Sequence, residues 1–341
     1  MPGDRRGAVP ARAKLPCTAM PFQQDKFPWQ EILLVTQKGT LMTSEREKYP
    51  RRGTAERAIL TAKLADRAQF IRLETVRLAQ IAGAGHYTGT FSAAELFASL
   101  YYGELRYRPD QAGWPDRDRF VLSKGHAAIG LYPVLADVGF FDRELLDDYT
   151  RLGSAFGDHP DMRKISGVDF SSGSLGHGLS ISVGMALAGR VQGRDYRTYC
   201  MVGDGEMAEG QAWEAAMAAG QFRLGSLVCI VDRNHLSIDG PTEDIMGIEP
   251  LADKFSSFRW SVQRIDGHDL DAILDAYDSL EPHGVGRPQV IIADTVKGRG
   301  VRRMEANVGW HVGRLAGVDY EEVIAEIQGG LKPAPSGASH A

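Results

Sequence analysis

Residues Met201–Asn234 read MVGDGEMAEGQAWEAAMAAGQFRLGSLVCIVDRN, and this stretch decides the fold. An apolar run leads into the glycines, an alanine-rich segment follows, and a second apolar run ends on asparagine. That order is a strand–helix–strand unit whose strands are buried on both faces. Neither aspartate nor asparagine is a good strand or helix former, so Asp204 and Asn234 serve something other than regular structure. They stand thirty residues apart, one βαβ unit. The unit places both side chains at the carboxyl ends of neighbouring parallel strands, the edge where open α/β sheets bind ligands. Gly203 and Gly205 let the backbone turn sharply and come close to a ligand. The helix expected to open there would aim free N–H groups at a phosphate. An Asp and Asn oxygen pair beside a phosphate suits a hard divalent cation. Taken singly, GDG is a common turn and a terminal Asn a cap; at this spacing the pair reads as a magnesium or calcium site bridging a diphosphate.

The same alternation extends outward. From Thr54 a helical pattern places Leu60, Leu64, Ala68, Ile71, Val76 and Leu78 roughly on one face. A Gly/Thr loop follows, with Ser92 expected to cap a helix from Ala93. Arg119–Leu122 reads as a strand, SKGH as a loop before a helix, and SSGSLGHGLS as a glycine-dense turn into another. WSVQRIDGHDLDAILDAYDSL is strand, turn and helix, and PQVIIADTVKGRG a final strand. The expectation is an α/β fold: one parallel sheet covered by helices on both faces. Residues 51–330 form the domain, 1–50 a disordered extension or mis-assigned start (with Met42 near the true one), and 331–341 a disordered tail.

A net charge of −5 leaves no basic footprint for nucleic acid. No apolar run reaches the roughly 18 residues of a membrane span. Three scattered cysteines make neither a disulfide framework nor a zinc site and point to a reducing cytoplasm.

GDG followed about thirty residues later by Asn resembles the thiamine diphosphate motif, and the segment through NHLSIDGPTED resembles the transketolase family in particular. FVLSKGHAAIGLY, GSLGHGLS and ADTVKGRGV…NVGWH are similar to transketolase segments in the same order, over about Thr54–Ala316. In that family this diphosphate-binding domain precedes a pyrimidine-binding domain and a smaller third one. The chain therefore resembles the N-terminal subunit of a split transketolase. The resemblance implies a separate C-terminal subunit carrying the pyrimidine domain, an α2β2 heterotetramer, and transfer of a two-carbon ketol unit between sugars or sugar phosphates.

Residue by residue, the resemblance assigns the metal (magnesium, or calcium or manganese in its place) to Asp204, Asn234 and the Leu236 carbonyl. Gly203 and Gly205 flank it, and Ile238 matches the residue packed on the thiazolium ring. Glu209 matches a carboxylate of the subunit interface. His126 in SKGH resembles a diphosphate contact, His86 and His159 resemble holders of the donor sugar's hydroxyls, and His311 in VGWH resembles the histidine near the diphosphate and the substrate oxygen. Gly173 and Leu175 match the turn lining the aminopyrimidine and diphosphate. His177, His235, His268, His283 and His340 read as bystanders.

Three departures stand out. Tyr-Thr-Gly-Thr follows His86, and Asp158 precedes His159, where it would raise that histidine's pKa if close. Arg233 replaces the family's acidic or amide neighbour of the metal asparagine and is expected to point away from the metal. Two other readings compete with a transketolase subunit: an α-type subunit of a 2-oxo acid dehydrogenase, and a non-catalytic subunit that keeps the cofactor fold.

Overall fold

The computed structural model describes residues 49–282, 284 and 286–329. The expected tail, His283, His340 and all of the N-terminal extension except Tyr49 and Pro50 lie outside the described residues. Tyr49 is already tied to the domain: its hydroxyl donates to Glu104 Oε2 at 2.7 Å and its N–H to Asp278 at 3.1 Å.

Five parallel strands make the sheet: β1 (Arg119–Leu122), β2 (Thr198–Gly203), β3 (Leu227–Arg233), β4 (Ser261–Asp266) and β5 (Gln289–Asp294), in the spatial order β1-β2-β3-β5-β4. Every residue of β2 and β3 is buried, which is why both read as unbroken apolar runs. The edge strand β4 is only partly buried and carries Arg264, an exposed charge that blunts an open edge.

Helices are α1 (Ala55–Ala82), α2 (Thr88–Phe91), α3 (Ala94–Ser99), α4 (Ala128–Asp137), α5 (His177–Val191), α6 (Gly210–Phe222), α7 (Thr242–Met246), α8 (Leu251–Ser257), α9 (Leu270–Asp278) and α10 (Val318–Gln328). The two-residue period of the strands divides them between two cores. Phe120, Tyr199, Met201, Ile230 and Ile291 face one shared with α1, α3, α4 and α9. Val121, Cys200, Val202, Val231 and Ile292 face the other, filled by α5, α6 and α8. The parallel sheet covered on both faces is therefore as the sequence implies. Helix α1 is capped by Thr54, whose side chain accepts from Arg57 N, and stops at Gly83 in the left-handed region.

Two local expectations are corrected. Ser92 does not cap the helix that follows: it closes α2 in the right-handed helical conformation, and its hydroxyl donates to the buried Asp232 Oδ2 at 2.7 Å instead. Nor does a helix open on the GDG. Gly205–Ala208 form a 3₁₀ turn capped by Asp204, and α6 begins only at Gly210. Buried Glu206 fixes that turn, accepting from Gly203 N at 3.0 Å and Gly176 N at 2.8 Å as well as from Ser123 Oγ.

Candidate active site

At the carboxyl ends of β2 and β3, Gly203 pairs with Asp232, so Asp204 and Arg233 come next in register, side by side. The Asp204 carboxylate is 1% exposed. Its Oδ1 accepts from Gly205 N at 2.8 Å, and its Oδ2 from His235 N at 2.6 Å and Arg233 Nη1 at 3.0 Å. Arg233 thus turns toward Asp204, not away from it. Alternation separates Arg233 from Asn234 along one strand, but laterally paired residues share a face. Burial, reinforced by nearby Asp232, holds Asp204 above its ordinary pKa despite Arg233 and the His235 N–H.

Asn234 is buried; its Oδ1 accepts from Leu236 N at 3.2 Å and its Nδ2 donates to Asp232 Oδ2 at 3.4 Å, which fixes the sense of the amide. The Leu236 carbonyl accepts from the Lys297 ammonium at 3.0 Å, as does Ser237 O at 2.9 Å. Asp204, Asn234 and the Leu236 carbonyl offer oxygen donors only, and the last already receives a cation. That donor chemistry fits a hard divalent ion. Among the described residues no cluster of three His, Cys, Asp or Glu side chains offers a competing metal site.

Several residues that motif reading missed surround this point. Lys124, of the SKGH loop, is fully buried against Asp232 and donates also to Gly89 O at 2.8 Å. Asp232 accepts further from Thr295 and Ser92; burial opposes its ionisation, yet these partners hold it below its ordinary pKa. Burial, with Lys124 close by, brings Lys297 down to about 8. A lysine just past the apolar run of β5, in DTVKGRG, is the signal that could have singled it out: it follows a strand's carboxyl end.

Four histidines from separate segments converge. The His86 ring lies 5.5 Å from that of His126, 5.4 Å from His311 and 6.3 Å from His159, and His126 lies 5.3 Å from His311. Burial, then Lys124 and the other cations, holds His126 well below its ordinary pKa; burial and Lys297 bring His311 down to about 3. Both are neutral imidazoles at physiological pH. His311 Nδ1 and Ser172 Oγ are buried without a hydrogen-bond partner among the described residues, orphaned groups of the kind a ligand satisfies. Asp158 does lie beside His159, 3.9 Å from Nδ1, but its closer contact is His86 Nδ1 at 3.2 Å. Burial works against the Asp158 carboxylate, but the two imidazoles and the Tyr149 hydroxyl hold it below its usual range.

The GSLGHG turn stands alongside. Gly173 has φ +143°, and a Cβ there would meet the His159 ring at 3.1 Å. Leu175 is half-buried, Glu209 is exposed at the start of α6, and Ile238 is 60% exposed beyond β3. Among the bystanders, His268 is structural: its Nδ1 faces Glu95 at 3.0 Å and its Nε2 accepts from Val296 N at 2.8 Å. His177 opens α5, and His235 serves the site only through its backbone.

Residues 63–336 match the family model of the transketolase thiamine diphosphate-binding domain. The chain belongs to the transketolase family. The transketolase chain is 42% identical, over 78% of its own length and 96% of the relative's, to the 6-deoxy-6-sulfo-D-fructose transketolase subunit of Clostridium sp. (strain MSTE9). It is 39% identical to an apulose-4-phosphate transketolase subunit of Phocaeicola vulgatus, over 75% and 90% of the two chains. Its fold superposes on transketolase from Leishmania mexicana with a TM-score of 0.71 at 27% identity, covering 78% of this chain and 41% of that one. The present chain thus spans less than half of that solved transketolase. The domain is a thiamine diphosphate-binding one.

Proposed function

We propose that this chain is the N-terminal subunit of a two-chain transketolase that moves a two-carbon ketol unit from a ketose or its phosphate to an aldose, active only with a C-terminal pyrimidine-domain subunit in an α2β2 assembly. The observation that carries this reading is the pair of relatives covered over 96% and 90% of their length, both named as transketolase subunits. Two free buried cysteines, Cys200 and Cys229, support a cytoplasmic setting. Among the described residues no helix is long and apolar enough to cross a membrane.

Bound thiamine diphosphate supplies the carbon nucleophile and electron sink for cleaving the bond beside a ketose carbonyl. The chain's own groups hold and orient. Asp204, Asn234 and the Leu236 carbonyl take the magnesium, which calcium or manganese can replace. Gly203, Gly205, Gly173 and Leu175 leave room for the cofactor, Lys297 and His126 face its diphosphate, and Ile238 offers an apolar contact. Glu209 joins the interface. His86, fixed by Asp158, and His159 bind donor hydroxyls, while neutral His311 accepts or returns a proton at the substrate oxygen. Asp158, held ionised, makes the Nδ1 of His86 the donor in that pair and leaves Nε2 for the sugar.

Ketol transfer is assayed with the chain co-purified with its C-terminal subunit, thiamine diphosphate and magnesium. Transfer from a ketose phosphate, abolished by Asp204→Ala, is expected. Turnover of 2-oxo acids with no ketol transfer would refute the reading.

A further inference from the structure

Arg233 is the feature of the site that its motifs leave unexplained. It is 1% exposed, as buried as the carboxylate it touches. Nη1 holds Asp204 Oδ2 at 3.0 Å and Thr242 Oγ1 at 2.6 Å, Nη2 holds Glu243 at 3.1 Å, and Nε holds Glu249 at 3.2 Å. A guanidinium tied on four sides cannot swing clear when a ligand arrives. Its charge also acts through protein, with little screening by salt.

We infer that Arg233 is a built-in counter-charge of the cation site: it neutralises Asp204, so that a divalent cation is taken only together with a diphosphate anion. The inference rests on the proposed reading of Asp204 as a metal ligand. Three donors already occupy the Asp204 oxygens, and the ion pair with Arg233 carries no net charge. The Lys297 ammonium on the Leu236 carbonyl adds a further positive charge where the cation would sit. A bare cation gains little there, whereas a diphosphate restores the missing negative charge. Without Arg233, the carboxylates of Asp204, Glu243 and Glu249 would stand together, offset by Lys297 near Asp204 and by Arg264, 3.5 Å from Glu249.

The test is Mn²⁺ binding to the full chain without cofactor, read from the electron-paramagnetic signal of the free ion. Wild type is expected to show no Asp204-dependent site below about millimolar concentration. Arg233→Gln is expected to bind roughly tenfold tighter or better, and to lose that gain when Asp204→Asn is added; Arg233→Lys, which keeps the charge, stays like wild type. A folded R233Q with unchanged affinity would overturn the inference, as would a gain that survives D204N. Micromolar, Asp204-dependent binding by wild type would overturn it too, and that measurement stands even if R233Q fails to fold. Adding thiamine diphosphate and the C-terminal subunit separates the two ways of being wrong. No Mn²⁺ uptake then means that the metal-site reading has failed. Uptake then, with R233Q unchanged, means that only the counter-charge has.

Discussion

Lys124→Met removes one partner of a fully buried ion pair and leaves Asp232 ionised in the sheet's interior. Both side chains are at most 1% exposed. Breaking such a pair from one side costs about 3–5 kcal/mol. Ser92 and Thr295 still donate to the stranded carboxylate, which places the expected loss near the lower bound, about 3 kcal/mol. In a domain of this size that lowers the melting temperature by about 10 °C. The loss depends on pH with a definite sign. In wild type, Asp232 is held below its ordinary pKa, so its contribution is fully present above the ordinary carboxylate range and is lost as pH falls from there through the lowered folded pKa. In K124M, burial, the largest influence on Asp232, is no longer opposed by Lys124. The folded pKa then rises above the unfolded one, and the variant loses stability as pH rises. The deficit against wild type is therefore largest near pH 8 and shrinks toward pH 5. Adding Asp232→Asn removes the stranded charge and recovers most of the loss at pH 8. Urea unfolding of the three variants at both pH values measures all of this. A deficit below about 1 kcal/mol, or one equal at both pH values, would refute the argument.

Three further substitutions probe the site. Asp204→Asn is expected to weaken magnesium-dependent thiamine diphosphate binding about a hundredfold by calorimetry. Asp158→Ala takes away the acceptor of His86 Nδ1 and is expected to lower kcat/KM for the donor sugar about tenfold, with cofactor binding unchanged in the same calorimeter. Gly173→Ala forces a side chain at φ +143° against the His159 ring; it is expected to cost about 1–3 kcal/mol in urea unfolding and to raise the donor KM.

Much of this molecule can be read from its sequence because its strands carry no competing signal. LVCIV and VIIA are buried on both faces, and a continuous apolar run has few other homes. The Asp204–Asn234 spacing carries topology with it, since one βαβ unit of that length leaves both residues at one sheet edge. Contacts between distant segments are not written in local pattern. The Ser92 hydroxyl reaches Asp232 across 140 positions, so its cap-like setting misleads. Lys124, Asp232 and Glu206 make the polar interior of the site, yet each looks in sequence like an ordinary charged residue near a turn. Arg233 shows the limit most clearly. Alternation along β3 is the right rule for its neighbours in the chain, whereas its partner lies just past β2, where register decides.

A titration tests whether this chain holds half of an active site. A fixed amount of this chain, with thiamine diphosphate and magnesium, is mixed with increasing C-terminal subunit while ketol transfer is followed. The account predicts no transfer from the chain alone and a rise that levels off at equal numbers of the two subunits. Full ketol transfer by the purified chain without a partner would contradict it.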